Sequence, residues 1–496
     1  MNEIQIKKLI KRYNFTLAET HISWVLIGEK FVYKIKKPVN FGFLDYSTLE
    51  KRFEFCKKEI ELNSRLAKEI YIKVSEITEE DDELAIDKKG TLIDYCVKMK
   101  KMPLDKMMDE LIKQDKIKED EIKALAKKIS DFHSTAQSNK DIEKFGTIEQ
   151  NRQNTDENFE QTKEATGDFI EKFQYESIKR YTDDFYKNNE ELFKERIKCG
   201  KIKDCHGDMY SRNICIEDIN KIYIYDCIEF NDRFRYSDTA SDVAFLLMDL
   251  ENYGRYDLSN LFLRYYSEFS KDDGLKKILN FYKIYRAFVR GKIAFFQQNR
   301  DEANRYFDLA FGYIPKIYKP KLIVMCGLSG SGKSYIANLL KDEINAEVIS
   351  SDILRKQLAG LKEDEKDLSD FGKGIYSSKM SDRVYAQMSE NAYNLLKKGK
   401  SAILDATYLT EKARNGVKES MKRLAIEPTT VFVDTDDKTV IEHFKKREYE
   451  QNASDGRYEI YIKQKTIFEK PANCITINPN MSTDKAIELI KNEIEK

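Results

Sequence analysis

GLSGSGKS, residues 327 to 334, fits the pattern G-x-x-x-x-G-K-[ST] in full. It also stands where that pattern has a mechanism, after an apolar strand (LIVMC, 322–326) and before a helical run (SYIANLLKDEI, 334–344). Gly327, Gly330 and Gly332 leave room for backbone N–H groups to turn inward at a helix N-terminus, where the helix dipole also favours an anion. The pattern predicts a phosphate cradle for ATP, with Lys333 on the β- and γ-phosphates and Ser334 on Mg²⁺. Outward from it, strands predicted at 322–327, 347–352, 401–407, 429–435 and 473–479 alternate with helix-length stretches. Short apolar strands spaced in this way predict a three-layer α/β domain, a parallel sheet with helices on both faces.

Charged residues fall at the predicted carboxyl ends of these strands, where ligands of open α/β sheets bind. SSDILRKQL puts Asp352 and Arg355 one helical turn apart, a carboxylate able to take a hydroxyl proton and a guanidinium able to hold an anion. Asp405 ends the third strand as a candidate Mg²⁺ holder, and Arg447, in HFKKREYEQNASDGRYE, is a candidate arginine over the transferring phosphate. The plainer readings are a helix cap for Asp352 and surface ion pairs for Arg355 and Arg447. Together, GLSGSGKS, SSDILRK, ILDAT and the spacing from Arg447 to Ser454-Asp455 resemble the P-loop kinases that include polynucleotide 5′-kinases, chloramphenicol phosphotransferase and gluconate kinase-like proteins, over about 321–496. That resemblance implies Asp352 as catalytic base and leaves the acceptor open.

A second stretch, HGDMYSRN at 206–213, offers phosphate chemistry of another kind. Asp208 precedes Asn213 by five residues, the offset of a base and a metal ligand in H-R-D-x-x-x-x-N, and Asp226 follows as a second Mg²⁺ ligand. Such a site needs a lysine on the phosphates and a glutamate to hold it. FVYKIKKP places Lys34 and Lys36 on one strand face by period-two alternation, with Lys34 in the better register and Lys36 open as the alternative. Glu59, ahead of Glu61, is the glutamate expected to pair with it. Strands at 23–28, 30–37, 71–77, 83–90 and 92–99, with a helix near 47–67, precede a mostly helical stretch to 314 that carries the stripe Ile122, Leu125, Ile129, Phe132. The prediction is an α+β bilobal domain of protein-kinase-like fold. The set resembles the aminoglycoside phosphotransferase and choline kinase branch of that fold over about 20–300. It departs in having only the Gly28 turn in place of a glycine-rich loop. Asp226 is followed by Cys-Ile-Glu, and fifteen residues separate it from Asp242, too few for a peptide-docking segment. The whole chain resembles bacterial fusions of an aminoglycoside phosphotransferase-like domain with a P-loop ATPase or kinase domain.

Two of the seven prolines, Pro315 and Pro320, mark the expected linker, 315–320, between a kinase-like domain at 1–314 (small lobe about 1–100, helical lobe about 101–314) and a P-loop domain at 321–496. The 496 residues carry 86 basic and 86 acidic side chains, so no global field draws the chain to nucleic acid or lipid. Scattered cysteines without metal spacing read as reduced thiols, and the lack of a long apolar run reads as a cytoplasmic protein without a membrane partner. Arg286, Arg290 and Lys292 on one basic helix read as lobe packing, the arginines pairing with Asp238 and Asp242, ahead of a nucleic-acid strip. The expected function is phosphotransfer at two ATP–Mg²⁺ sites, each to a hydroxyl of a small molecule. The alternatives are one catalytic domain beside a regulatory nucleotide-binding one, or a P-loop half that phosphorylates nucleic-acid 5′-hydroxyls.

Overall fold

Alternating apolar residues in the first hundred positions build one antiparallel sheet. The structure is a computed structural model, and it describes residues 1–42, 44–362, 373–424, 426–447, 458–478 and 481–495. It divides into two compact units, residues 1–161 with 184–293, and residues 162–183 with 294–496. The sequence draws its boundary at 315–320, so the two divisions differ over 162–183 and 294–320.

In the first unit, strands β1 (Thr16–Glu19), β2 (Ser23–Ile27), β3 (Phe31–Lys36), β4 (Tyr71–Glu80), β5 (Glu83–Ile86) and β6 (Thr91–Lys100) form a sheet in the order β1-β2-β3-β6-β4-β5. Every neighbouring pair is antiparallel. Gly28 turns the β2–β3 hairpin, its N–H donating to Phe31 O at 2.9 Å. The helix Leu49–Ala67, capped by the Thr48 hydroxyl, lies on β4 and β6 and turns Arg52, Cys56, Glu59, Leu62, Asn63 and Leu66 inward. That spacing of three and four residues gives one helical face, and it carries Glu59 into the interior.

Helices make up most of the rest of this unit. The stripe Ile122, Leu125, Ile129 and Phe132 is buried in the helix Glu119–Thr135, which packs on Tyr256–Ser270. Thr239–Asn252 is buried on every side, as its run AFLLM requires. Two small antiparallel pairs frame the candidate site: β7 (Ile202–Asp204) with β10 (Tyr236–Asp238), and β8 (Ile214–Asp218) with β9 (Lys221–Ile224).

In the second unit, β11 (Leu322–Cys326), β12 (Ala346–Ser350), β13 (Ser401–Asp405), β14 (Thr429–Val433) and β15 (Ile475–Ile477) form an all-parallel sheet in the order β12-β13-β11-β14-β15. Every residue of β11 and β13 is buried, the mark of strands covered on both faces. Ile323, Met325 and Ile403 share a core with Ile336 and Leu340 of the helix Lys333–Glu343 and with Ile490 and Ile494 of Thr483–Glu495. The helix Ser378–Lys397 also lies on β12 and β13 and packs against Glu411–Met421. Residues upstream of Pro315 belong to this unit too: Phe173 meets Phe311 edge to face at 5.3 Å, and Lys397 pairs with Glu171 at 3.0 Å. Among the described residues, no helix is long and apolar enough to cross a membrane. All eight cysteines are free thiols.

Candidate active sites

The loop after β11 owes its shape to three glycines at positive φ: Gly327 at 142°, Gly330 at 81° and Gly332 at 97°. A Cβ at 327 would lie 2.7 Å from Val433 O, and one at 330 would lie 2.9 Å from the Phe444 ring. The loop is tied down by four residues outside it. Gly327 N donates to Thr407 O at 3.1 Å and Thr435 Oγ1 donates to Ser331 O at 2.9 Å. His443 Nδ1 lies 2.7 Å from Gly330 O, and Gln464 Oε1 accepts from Ser329 N at 2.8 Å. Lys333 opens the following helix and folds back, its Nζ donating to Leu328 O at 2.8 Å. A lysine held across a glycine-rich loop at a helix N-terminus is an arrangement suited to a polyphosphate.

The strand register brings the other candidates to the same edge. Ser350 pairs with Asp405, and Asp405 with Met325, so Asp405 and the helix start carrying Asp352 both lie at the carboxyl end of the sheet. The cap of that helix is Ser350, whose hydroxyl accepts from Ile353 N, so Asp352 in the first turn is not the cap. Nor is Arg355 a surface ion-pair residue. It is buried, donates to Ile375 O at 2.8 Å and Ser381 Oγ at 3.3 Å, and lies 5.0 Å from the Tyr376 ring centre. Arg447 ends the helix Asp437–Arg447, but its side chain, with Ser454 and Asp455, lies outside the described residues. The sequence reading missed Thr435, His443 and Gln464, which act on the loop from distant segments. It also missed Tyr385 and Tyr408, stacked at 4.7 Å beside Thr407. From Tyr385 a cleft of about 590 Å³ runs between Ser378–Lys397 and Glu411–Met421, past Ser389, Tyr393 and Lys412.

In the first unit, the loop 206–213 hangs from two buried carboxylates, Asp242 at its start and Asp249, which accepts Ser211 N at 2.9 Å. Asp242 accepts His206 N at 2.7 Å and Gly207 N at 2.9 Å. Burial opposes its charge, but His133, His206 and Arg286 hold its carboxyl down at about 2. Gly207, at φ 85°, is where the chain presses on Phe234 O, 2.9 Å from an added Cβ. The loop carries Asp208 beside Asn213, whose Nδ2 donates to Asp208 Oδ2 and to Asp208 O, both at 2.9 Å. Asn213 would therefore offer a cation its amide oxygen. Burial, with the charge of Asp226, pushes the Asp208 carboxyl up to about 6 against Arg290, Arg286 and Asn213. A carboxylate so placed suits a general base near neutral pH.

Asp226 adopts φ 61°, a conformation aspartate tolerates, and Cys227 N donates to Asn63 Oδ1 at 2.8 Å beside it. Lys34 Nζ donates to Asp226 Oδ1 at 2.6 Å and lies 3.0 Å from Glu59 Oε1. Asp226 and Glu59 outweigh burial and hold the Lys34 ammonium well above its ordinary range. Lys36 is wholly enclosed, donating to Glu59 Oε2 at 2.7 Å and to Glu229. Of the two lysines left open by the strand pattern, Lys34 is thus the one that reaches the half-exposed Asp226. One expectation is corrected: Arg286 pairs with neither Asp238 nor Asp242 but donates to Gly207 O at 2.8 Å and Ser241 Oγ at 3.1 Å, while Asp238 pairs with Arg196. Nothing in the sequence near HGD announces Asp242 as its partner, since the two hydrogen bonds span 36 and 35 residues.

An uncharacterised protein of Mycobacterium tuberculosis is 31% identical over 431 residues, covering 84% of this chain and 82% of that protein, and one of Mycobacterium bovis matches to the same extent. The chain belongs to the family of these mycobacterial proteins. The match is too long to fall within either unit, so the family shares both. Within the chain, residues 322–471 match the AAA domain family. Solved structures similar to part of it include the APS kinase of M. tuberculosis with AMPPNP and APS (21% identity, 36% of this chain and 99% of that chain, TM-score 0.29). A gluconokinase from Sinorhizobium meliloti is similar at 17% identity, over 35% of this chain and 91% of that chain, with TM-score 0.27.

Proposed function

We propose that this protein is an ATP-dependent phosphotransferase with two sites, each passing the γ-phosphate to a hydroxyl of a small molecule. The observation that carries the reading is the cluster in the first unit, where Lys34 meets Glu59 and Asp226 while Asp208 meets Asn213. Residues brought together from positions 34, 59, 208, 213 and 226 supply each part that phosphoryl transfer needs without a glycine-rich P-loop. The bilobal kinase-like fold and the resemblance to aminoglycoside phosphotransferases belong to this reading.

In the first unit, Lys34 would bind the phosphates and Asp208 would accept the acceptor's proton as its oxygen attacks the γ-phosphorus and ADP leaves. The oxygen donors of Asp226 and Asn213 suit a hard cation, so they would hold Mg²⁺, which supplies charge neutralisation on the phosphates. In the second unit, Lys333 and the loop amides would bind ATP, Ser334 and Asp405 would hold Mg²⁺, and Asp352 would be the base. Arg355, engaged with Ile375 and Ser381, would shape the acceptor side, and Arg447 would close over the phosphate.

A metabolite extract incubated with ATP and the protein, followed by mass spectrometry, tests this. Species gaining one or two phosphoryl groups are expected. Asp208→Ala should abolish one product, slowing it at least about 100-fold as for loss of a general base, and Lys333→Ala should abolish another. If only one variant alters the products, the other unit is a nucleotide-binding module. Labelling of 5′-hydroxyl oligonucleotides, lost in Lys333→Ala, would make the second unit a nucleic-acid end kinase.

A further inference from the structure

Lys36 is a fully buried lysine two residues from the lysine assigned to phosphate, and the reaction as described gives it nothing to do. Its ammonium donates to Glu59 Oε2 at 2.7 Å, to Glu229 Oε1, and to Tyr46 OH at 3.4 Å. Tyr46, also fully buried, donates to Glu229 Oε1 at 2.6 Å. A buried ion pair of this kind is a weak source of stability, because apolar side chains of similar volume commonly serve as well. What it fixes is geometry.

Two details show what is fixed. The directed hydrogen bond of Lys34 goes to Asp226; its 3.0 Å approach to Glu59 Oε1 lacks hydrogen-bond alignment, so the bond that orients the Glu59 carboxylate comes from Lys36. Glu229 lies three residues after Asp226, so the segment bearing the metal-ligand candidate is fastened to β3 twice, by Lys34 and by Lys36. The charges agree with this. Two ammonium groups face three carboxylates, and only Asp226, at 45% side-chain exposure, is open to solvent to receive a cation. Without Lys36, Lys34 alone would face all three and be drawn inward.

We propose that Lys36, Glu229 and Tyr46 form a positioning latch that sets Glu59 and the Asp226 segment on β3, leaving Lys34 to the nucleotide and Asp226 to the cation. The inference rests on reading the first unit as an ATP site. Full-length protein carrying Lys333→Ala, which silences the second site, is the parent for the test, and Mn²⁺ with ATP, followed by electron paramagnetic resonance, is the probe. Lys36→Met and Glu229→Gln should each weaken Mn²⁺–ATP binding about 10- to 100-fold, the usual cost of losing a partner that orients a metal ligand. Each also leaves a buried charge unpaired and lowers the unfolding temperature. The double variant removes both charges, so it should recover stability while Mn²⁺–ATP binding stays weak. Recovery of binding together with stability would overturn the latch and leave a purely structural pair. Failure of the underlying reading looks different: the parent itself would bind no Mn²⁺–ATP, or Asp226→Asn would bind it as well as the parent.

Discussion

His206 makes the first unit sensitive to mild acid. It is buried, its Nδ1 accepts from Asp208 N at 3.3 Å, and burial pushes its imidazolium down from 6.5 to about 4. A histidine whose folded value is depressed contributes stability that is present above the unfolded value and is lost as pH falls toward the folded one. The window is therefore from about pH 6.5 to about pH 4. At about 1.4 kcal/mol per unit, the loss across it is on the order of 3 kcal/mol. Asp208, whose carboxyl is held up at about 6, takes up a proton in the same interval and offsets part of this loss. Urea unfolding of the full chain at pH 7 and pH 5 should show a small net weakening of the first unit, and His206→Gln should remove that weakening whatever it does to stability at pH 7. An unchanged slope in His206→Gln would place the sensitivity elsewhere. The same residue shows what a sequence can and cannot display. The order His-Gly-Asp and the five-residue step to Asn213 are legible because they lie in one short loop. The Asp242 carboxylate that holds the loop is not, because its two hydrogen bonds span more than thirty residues.

At the scale of elements, legibility follows burial. The strands of the second unit are legible because they are short and apolar, and in β11 and β13 every residue is buried. β1 escapes the same reading because TLAE is exposed throughout and carries no alternation. The glycine loop is legible in outline, but the demands on its glycines differ in kind. At Gly327 an alanine meets Val433 O at 2.7 Å and keeps an unfavourable φ of 142°. At Gly332, whose φ is 97°, the nearest atom is a His443 ring carbon at 4.0 Å. Gly332→Ala should therefore cost only backbone strain, about 1–2 kcal/mol, whereas Gly327→Ala must also push β14 away from β11. Titration with a fluorescent ATP analogue, in an Asp226→Asn background that silences the first site, should show Gly327→Ala losing nucleotide and Gly332→Ala keeping most of it. Equal loss in both would mean that steric contact with β14 is not what the first glycine avoids.

Over the whole molecule, prolines are a local signal and membership of a unit is a tertiary one. Pro315 and Pro320 break the chain, yet Phe311 packs on Phe173, Arg180 donates to Tyr318 O at 2.9 Å, and the segments 162–183 and 294–320 fall within the second unit. No local composition marks residues 162–183, because what assigns them is aromatic contact with residues more than a hundred positions away. The relatives match across both units, so the pairing of the two units is a property of the family. The two proposed phosphate-binding sets have no side chain in common, so the proposal predicts two nucleotides per chain. Calorimetric titration with a non-hydrolysable ATP analogue and Mg²⁺ should give a stoichiometry near two for the full chain. Lys333→Ala and Lys34→Met should each bring it near one, and the double variant should bind none. The affinity of the remaining site should stay within about threefold in each single variant if the two sites, which have no side chain in common, act additively. A full chain that binds one equivalent, lost with Lys333→Ala and untouched by Lys34→Met, would confine ATP to the glycine loop and remove the first unit from the reaction.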